Sequence, residues 1–229
     1  YGMGWDGIDL SLMSPAFLHK RLGLNVAMPI LPLHGPRRSS VISGRDYVDG
    51  HFSNFIFAEA QAQHDIRCLM QHLRDQYGAK KFAVLGYSLG GYNASLLSTL
   101  ESDLACVIAG IPATDFASLL QQHSPAIPLR EMNSLGVSED KMRAAYELVS
   151  PLNLQPQVPL GKRFIFAANA DQLVPPAEVL KLWHHWGQPP LHWYNGSHLS
   201  VRDERCVGKF IRDALVSTGV IAPQHTPWE

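Results

Sequence analysis

The chain has 229 residues, 46% hydrophobic and 17% charged. That is enough apolar material for a buried core and too much for a disordered segment. Lys+Arg 19 against Asp+Glu 20 leave a formal net charge of -1, with no long run of either sign. This excludes the basic footprint of a nucleic-acid binder.

No apolar run approaches the ~20 residues that span a bilayer, and no basic start followed by an apolar block marks a secretory signal. The first strand is expected over Asn25–Leu31. An amphipathic helix follows over Glu59–Tyr77, where Ala62, Ile66, Leu69, Met70, Leu73 and Tyr77 recur at steps of three and four and Gly78 follows as a stop. Lys81–Leu85 reads as a strand, Gly86 to Gly91 as a tight turn, and the apolar run from Asn93 as a helix. Leu104–Ala109 is the third strand. Pro112–Pro159 then breaks the rhythm, carrying six prolines around one helix, Glu139–Val149. It reads either as a small cap over a pocket or as a long surface connection.

The alternation resumes with strand Arg163–Ala167 and a helix after Pro175-Pro176 whose apolar face is Val179, Leu182, Trp183 and Trp186. Strand Leu191–Tyr194 follows, then a last helix marked by Val207, Phe210, Ile211, Ala214 and Leu215. Several strands are apolar on both faces, as parallel strands covered on both sides are. The whole reads as one α/β domain over residues 1–221, a mostly parallel sheet flanked by helices, with a tail over 222–229. Cys68, Cys106 and Cys206 form neither a disulfide framework nor a zinc pattern. A reducing, cytoplasmic setting is expected.

Gly86-Tyr87-Ser88-Leu89-Gly90 is a G-x-S-x-G string. Composition alone would produce one roughly 0.1 times by chance, so context decides its meaning. A buried strand precedes it and a helix follows, the setting of a nucleophile elbow. Such a turn strains the serine backbone, needs glycines where chains approach closely, and aims helix amides at a developing oxyanion. An ordinary glycine-rich turn, or one holding a phosphate, is the bland alternative, but neither a P-loop ending nor G-x-G-x-x-G is present.

Serine needs a histidine to take its proton, and the histidine a carboxylate to fix its tautomer. Of 11 histidines, His198 lies in the loop between the last strand and the last helix, where an α/β sheet builds its site. Asp171 holds the equivalent place one unit earlier. Each also reads singly as a turn residue. The rival acid is Asp115, just beyond the preceding strand. His184 and His185 invite a metal, but adjacent helix positions point about 100° apart and no ligand spacing supports it, so no metal is expected.

On these residues the chain resembles the α/β-hydrolase superfamily and is similar to a bacterial branch of serine hydrolases within it. The likeness runs from about Tyr1 to Val216. It is carried by the segment Asn25 to Arg37, the Ser88 elbow, Ala109-Gly-Ile-Pro-Ala-Thr-Asp115, Ala170-Asp171-Gln-Leu-Val-Pro-Pro and Gly196-Ser-His198. The resemblance implies a Ser88–Asp171–His198 triad with no cofactor. One oxyanion donor would be the Leu89 amide and the other would come from the Tyr1–Gly4 segment, at Gly2 or Met3. His34-Gly35 is read as structural.

The resemblance also implies eight strands where five are visible, so the chain is expected to lack the N-terminal strands of its fold and to extend upstream of Tyr1. The activity implied is hydrolysis of a carboxylic ester with a small-molecule acyl substrate. A peptidase, amidase or thioesterase of the same fold is the enzymatic alternative, and a non-catalytic hydrolase-like binding protein the alternative from another class.

Overall fold

The computed structural model describes residues 15–47, 52–123, 136, 138–200 and 205–223. Four strands form one parallel sheet in the order β1-β2-β3-β4: β1 (Ala83–Tyr87), β2 (Cys106–Gly110), β3 (Arg163–Ala168) and β4 (Leu191–Tyr194). The register sets Leu85 beside Ile108, Ile108 beside Phe164 and Ile165 beside Leu191. Every neighbouring pair runs parallel, so the C-terminal ends of all four strands open on the same edge.

Among the described residues six α-helices accompany the sheet: α1 (Phe52–Tyr77), α2 (Leu89–Leu97), α3 (Phe116–His123), α4 (Glu139–Glu147), α5 (Pro176–His185) and α6 (Arg205–Ser217). Alternation along β2 and β3 divides the core. Val107, Ala109, Ile165 and Ala167 face Leu97 of α2, Val179 and Leu182 of α5, and Trp186 just past its end. Cys106, Ile108, Phe164 and Phe166 face Val207, Ile211, Ala214 and Leu215 of α6. Burial on both faces is why these strands read as continuous apolar runs.

α1 starts earlier than its periodicity predicts, because Phe55 and Ala58 extend its apolar stripe into a third cluster. There the Phe55 ring meets Phe116 at 4.4 Å, Tyr146 at 5.0 Å and Tyr92 at 5.6 Å. These contacts close α3 and α4, the described part of the 112–159 excursion, against α1 and α2. α1 ends at Gly78, where φ +63 lets the Gly78 amide donate to Arg74 O.

One expected element is absent: Asn25–Leu31 is not a strand. Pro29 and Pro32 lack ladder donors and Asn25 to Ala27 are exposed, so the segment joins none of the four strands and β1 stays at the edge of the described sheet. No helix among the described residues is long and apolar enough to cross a membrane.

Candidate active site

Three connections leave the C-terminal edge of the sheet with the residues singled out above. Ser88 follows β1 directly and precedes α2, with φ 54 and ψ −115. A non-glycine residue there is strained by roughly 1–3 kcal/mol, and the turn is held by its neighbours. Ser88 N donates to Gly110 O at 2.9 Å, while Ser88 O accepts from Tyr92 N at 2.9 Å and Ala113 N at 3.3 Å. The Ser88 side chain makes no cap bond to the helix. Its hydroxyl is therefore not spent on local structure. Leu89 opens α2, so its amide lacks an acceptor within the helix.

The glycines around Ser88 have unequal duties. A Cβ on Gly86 would lie 1.9 Å from the Gly90 carbonyl oxygen, and one on Gly91 would lie 2.8 Å from Gly110 O. A Cβ on Gly90 meets nothing within 4 Å. The close approach therefore demands Gly86 and Gly91, not both glycines of the five-residue string. Gly86→Ala is expected to cost about 3 kcal/mol or more, a drop of several degrees in Tm. Gly90→Ala should change stability by less than about 1 kcal/mol. Equal melting temperatures for the two variants would contradict this account of the turn.

Asp171 and His198 meet. His198 Nδ1 lies 2.7 Å from Asp171 Oδ2, with side chains 13% and 1% exposed. Asp171 Oδ1 accepts from the amides of Leu173 and Val174, each at 2.9 Å. The buried carboxylate thus has both oxygens occupied, and His198 keeps Nε2 for another partner. Among the described residues no hydrogen bond links that ring to the Ser88 hydroxyl.

The two loops are also tied together by main-chain bonds, Asn169 N to Tyr194 O and Ala170 N to Gly196 O, each 3.0 Å. The Asn169 side chain adds a 2.8 Å bond to Asn195 Oδ1. Nothing in the sequence beyond two loop asparagines announces this bridge.

Asp115 is engaged elsewhere. Its Oδ2 pairs with Lys181 at 2.7 Å and Arg143 at 3.5 Å, while Oδ1 caps α3 by accepting from Ser118 N. Burial pushes its carboxyl up, but the Lys181 and Ser118 hydrogen bonds and the two cations outweigh that and hold it below the ordinary value. Gly2 and Met3 lie outside the described residues.

His34 is fully buried beside Tyr47, with Nδ1 2.8 Å from Pro32 O, and Gly35 N donates to Ser43 Oγ. His185 Nε2 bonds Leu154 O. Among the described residues no group of three His, Cys, Asp or Glu side chains is arranged for a metal ion. Ile111, just past β2, also holds a positive φ of 40; strain beside Ser88 is therefore shared by two adjoining strand ends.

No family model matches the chain. Two proteins from strains of Mycobacterium tuberculosis, both described as uncharacterised, are 39% identical to it over 230 residues and match 98% of it. The chain spans about half of their length (54%).

Solved structures of similar architecture include an acylaminoacyl peptidase from Pyrococcus horikoshii, with TM-score 0.52 and 16% identity over 69% of this chain and 27% of that one. A puromycin-hydrolyzing peptidase from Mycobacterium tuberculosis gives TM-score 0.52 and 16% identity over 72% of this chain and 25% of its own. The thioesterase domain from the curacin biosynthetic pathway matches 89% of this chain and 86% of itself, with TM-score 0.50 and 14% identity. What is shared at such identities is the fold.

Proposed function

The chain has the α/β-hydrolase fold, and on that premise we propose that it is a serine hydrolase acting on carboxylic esters through Ser88, His198 and Asp171. The observation that carries the proposal is a strained, locally unbonded Ser88 on the same sheet edge as a buried Asp171–His198 pair.

In the proposed reaction His198 Nε2 takes the Ser88 proton as the hydroxyl oxygen attacks the ester carbonyl. Asp171 stabilises the imidazolium through Nδ1, and the Leu89 amide donates to the oxyanion; one such donor is worth ~10²–10³ in rate. The imidazolium then gives its proton to the leaving alcohol, leaving an acyl group on Ser88. Water, deprotonated by the same histidine, attacks that ester and releases the acid and the free serine. Gly2 or Met3 supplying a second donor, and the 112–159 excursion covering the acyl pocket, belong to the same proposal. So does a reducing, cytoplasmic setting, in keeping with three widely spaced cysteines that form no disulfide framework pattern in the sequence.

Amide and thioester bonds yield to the same steps, so an activity panel decides between them and esters. A fluorophosphonate probe tests the mechanism itself, because it reacts only with an activated serine. Stoichiometric labelling at Ser88 and turnover of short-chain esters are expected. A folded protein that takes no label would be a binding module of this fold instead.

A further inference from the structure

Glu59 has no exposed surface, yet it belongs to the face of α1 that meets α2. A buried carboxyl needs donors or a cation. Its Oε1 accepts from Asn93 Nδ2 at 3.3 Å, and the buried Tyr47 hydroxyl faces the same carboxyl. Asn93 is used in several directions. Its Nδ2 also donates to Leu89 O at 3.1 Å, and its Oδ1 accepts from Gln63 Nε2 at 2.9 Å. Leu89 follows Ser88 and carries the proposed oxyanion amide. A continuous polar path therefore runs from α1 to the residue beside the nucleophile, and the mechanism above leaves it unused.

We infer that Glu59 is a positioning residue for the Ser88 turn, holding the first turn of α2 against α1 through Asn93. The inference rests on Ser88 being the nucleophile. Glu59 performs this role as the uncharged acid, which donates as well as accepts.

Among the described residues no lysine or arginine pairs with it. Tyr47 and, edge-on to its ring, His34 approach from the preceding loop. Tyr92 comes from α2 and Tyr146 from α4. The cation whose charge reaches this cluster, Arg37, is paired with Asp65 at 2.7 Å. Burial pushes the Glu59 carboxyl up to about 8, against the Asn93 hydrogen bond and the facing Tyr47 hydroxyl, which lower it. Above that pH the native protein must hold an unpaired buried charge against Asn93, and the turn loosens.

The native state keeps a proton that the unfolded chain releases near 4.5. Its stabilisation is complete below that pH and is lost as pH rises from about 4.5 to about 8.

The test compares the unaltered full chain with Glu59→Gln and Asn93→Ala, by thermal unfolding from pH 5 to 9 and by the rate of fluorophosphonate labelling. The Tm of the unaltered chain should fall relative to Glu59→Gln between pH 5 and 8. Its labelling rate should drop about fivefold from pH 8 to 9 while that of Glu59→Gln holds. Asn93→Ala should label about tenfold more slowly at pH 7.

Parallel melting curves, or one alkaline limb shared by both chains with labelling intact, overturn the inference and leave the hydrolase proposal standing. Should Glu59→Gln fail to fold, an undiminished labelling rate in Asn93→Ala overturns it alone. Absence of labelling in the unaltered chain at every pH overturns the hydrolase proposal, and the positioning role with it.

Discussion

Ser88→Ala is expected to lower ester turnover by at least about 10³-fold while leaving the fold intact. The loss follows because Ser88 is the proposed nucleophile at the head of α2. Serine-based hydrolysis without its nucleophile retains only what oxyanion binding and substrate positioning provide. The fold should survive because the Ser88 side chain makes no cap bond, while its backbone is held by Gly110, Tyr92 and Ala113. Alanine bears the same positive φ as serine, so Tm should move little.

Ser88→Gly separates strain from chemistry. It should be equally inactive yet more stable by about 1 kcal/mol, since glycine adopts φ 54 without cost. Activity unchanged in Ser88→Ala would mean that another residue is the nucleophile.

Asp171→Asn should reduce turnover by about 10⁴-fold, the scale expected when a catalytic histidine is held in the wrong tautomer. Oδ1 of Asp171 is committed to the amides of Leu173 and Val174. An asparagine must keep its oxygen there, which places its amide nitrogen where Oδ2 now meets His198 Nδ1. That nitrogen donates, so Nδ1 must accept and the ring proton moves to Nε2. A ring protonated at Nε2 cannot take the Ser88 proton.

Asp115→Asn supplies the contrast. Asparagine caps α3 as well as aspartate does, and the Lys181 pair it loses is partly exposed, worth at most about 1 kcal/mol. Turnover should change by less than about threefold. Rates for the two variants under saturating ester decide the matter; an inactive Asp115→Asn beside an active Asp171→Asn would reverse the assignment of the acid.

Four strands were legible to within about two residues of their ends, because burial on both faces leaves runs such as Cys106–Gly110 with little polar interruption. The turn at Gly86 and the placement of Ser88, Asp171 and His198 just beyond strand ends were legible for a related reason. Strand-to-helix connections at one sheet edge recur at fixed places in the alternation. α3 was missed: it is only eight residues long in a segment read as irregular from its prolines, and what starts it is an Asp115 cap that competes with a catalytic reading of the same side chain. Asn25–Leu31 failed the other way. Apolar content suggested a strand, but Pro29 and Pro32 lack the amides a ladder needs, and the segment pairs with none of the described strands.

Local chemistry by itself determined the class of the fold, the elbow and the short roster of ionisable residues at strand ends. These depend on residue type, spacing and backbone preference within about ten positions of one another. The choice among carboxylates was a tertiary matter. Asp115 and Asp171 occupy similar sequence settings, yet one faces Lys181 of α5 and the other His198, 27 residues away along the chain. The tasks of the glycines were decided in the same way, since what forbids a Cβ on Gly91 is the carbonyl of Gly110 in the next strand. So was the burial of Glu59, which reads in sequence as one more polar position on an amphipathic helix. Contacts between residues distant in sequence exist only once the sheet has formed, and periodicity along the chain carries no record of them.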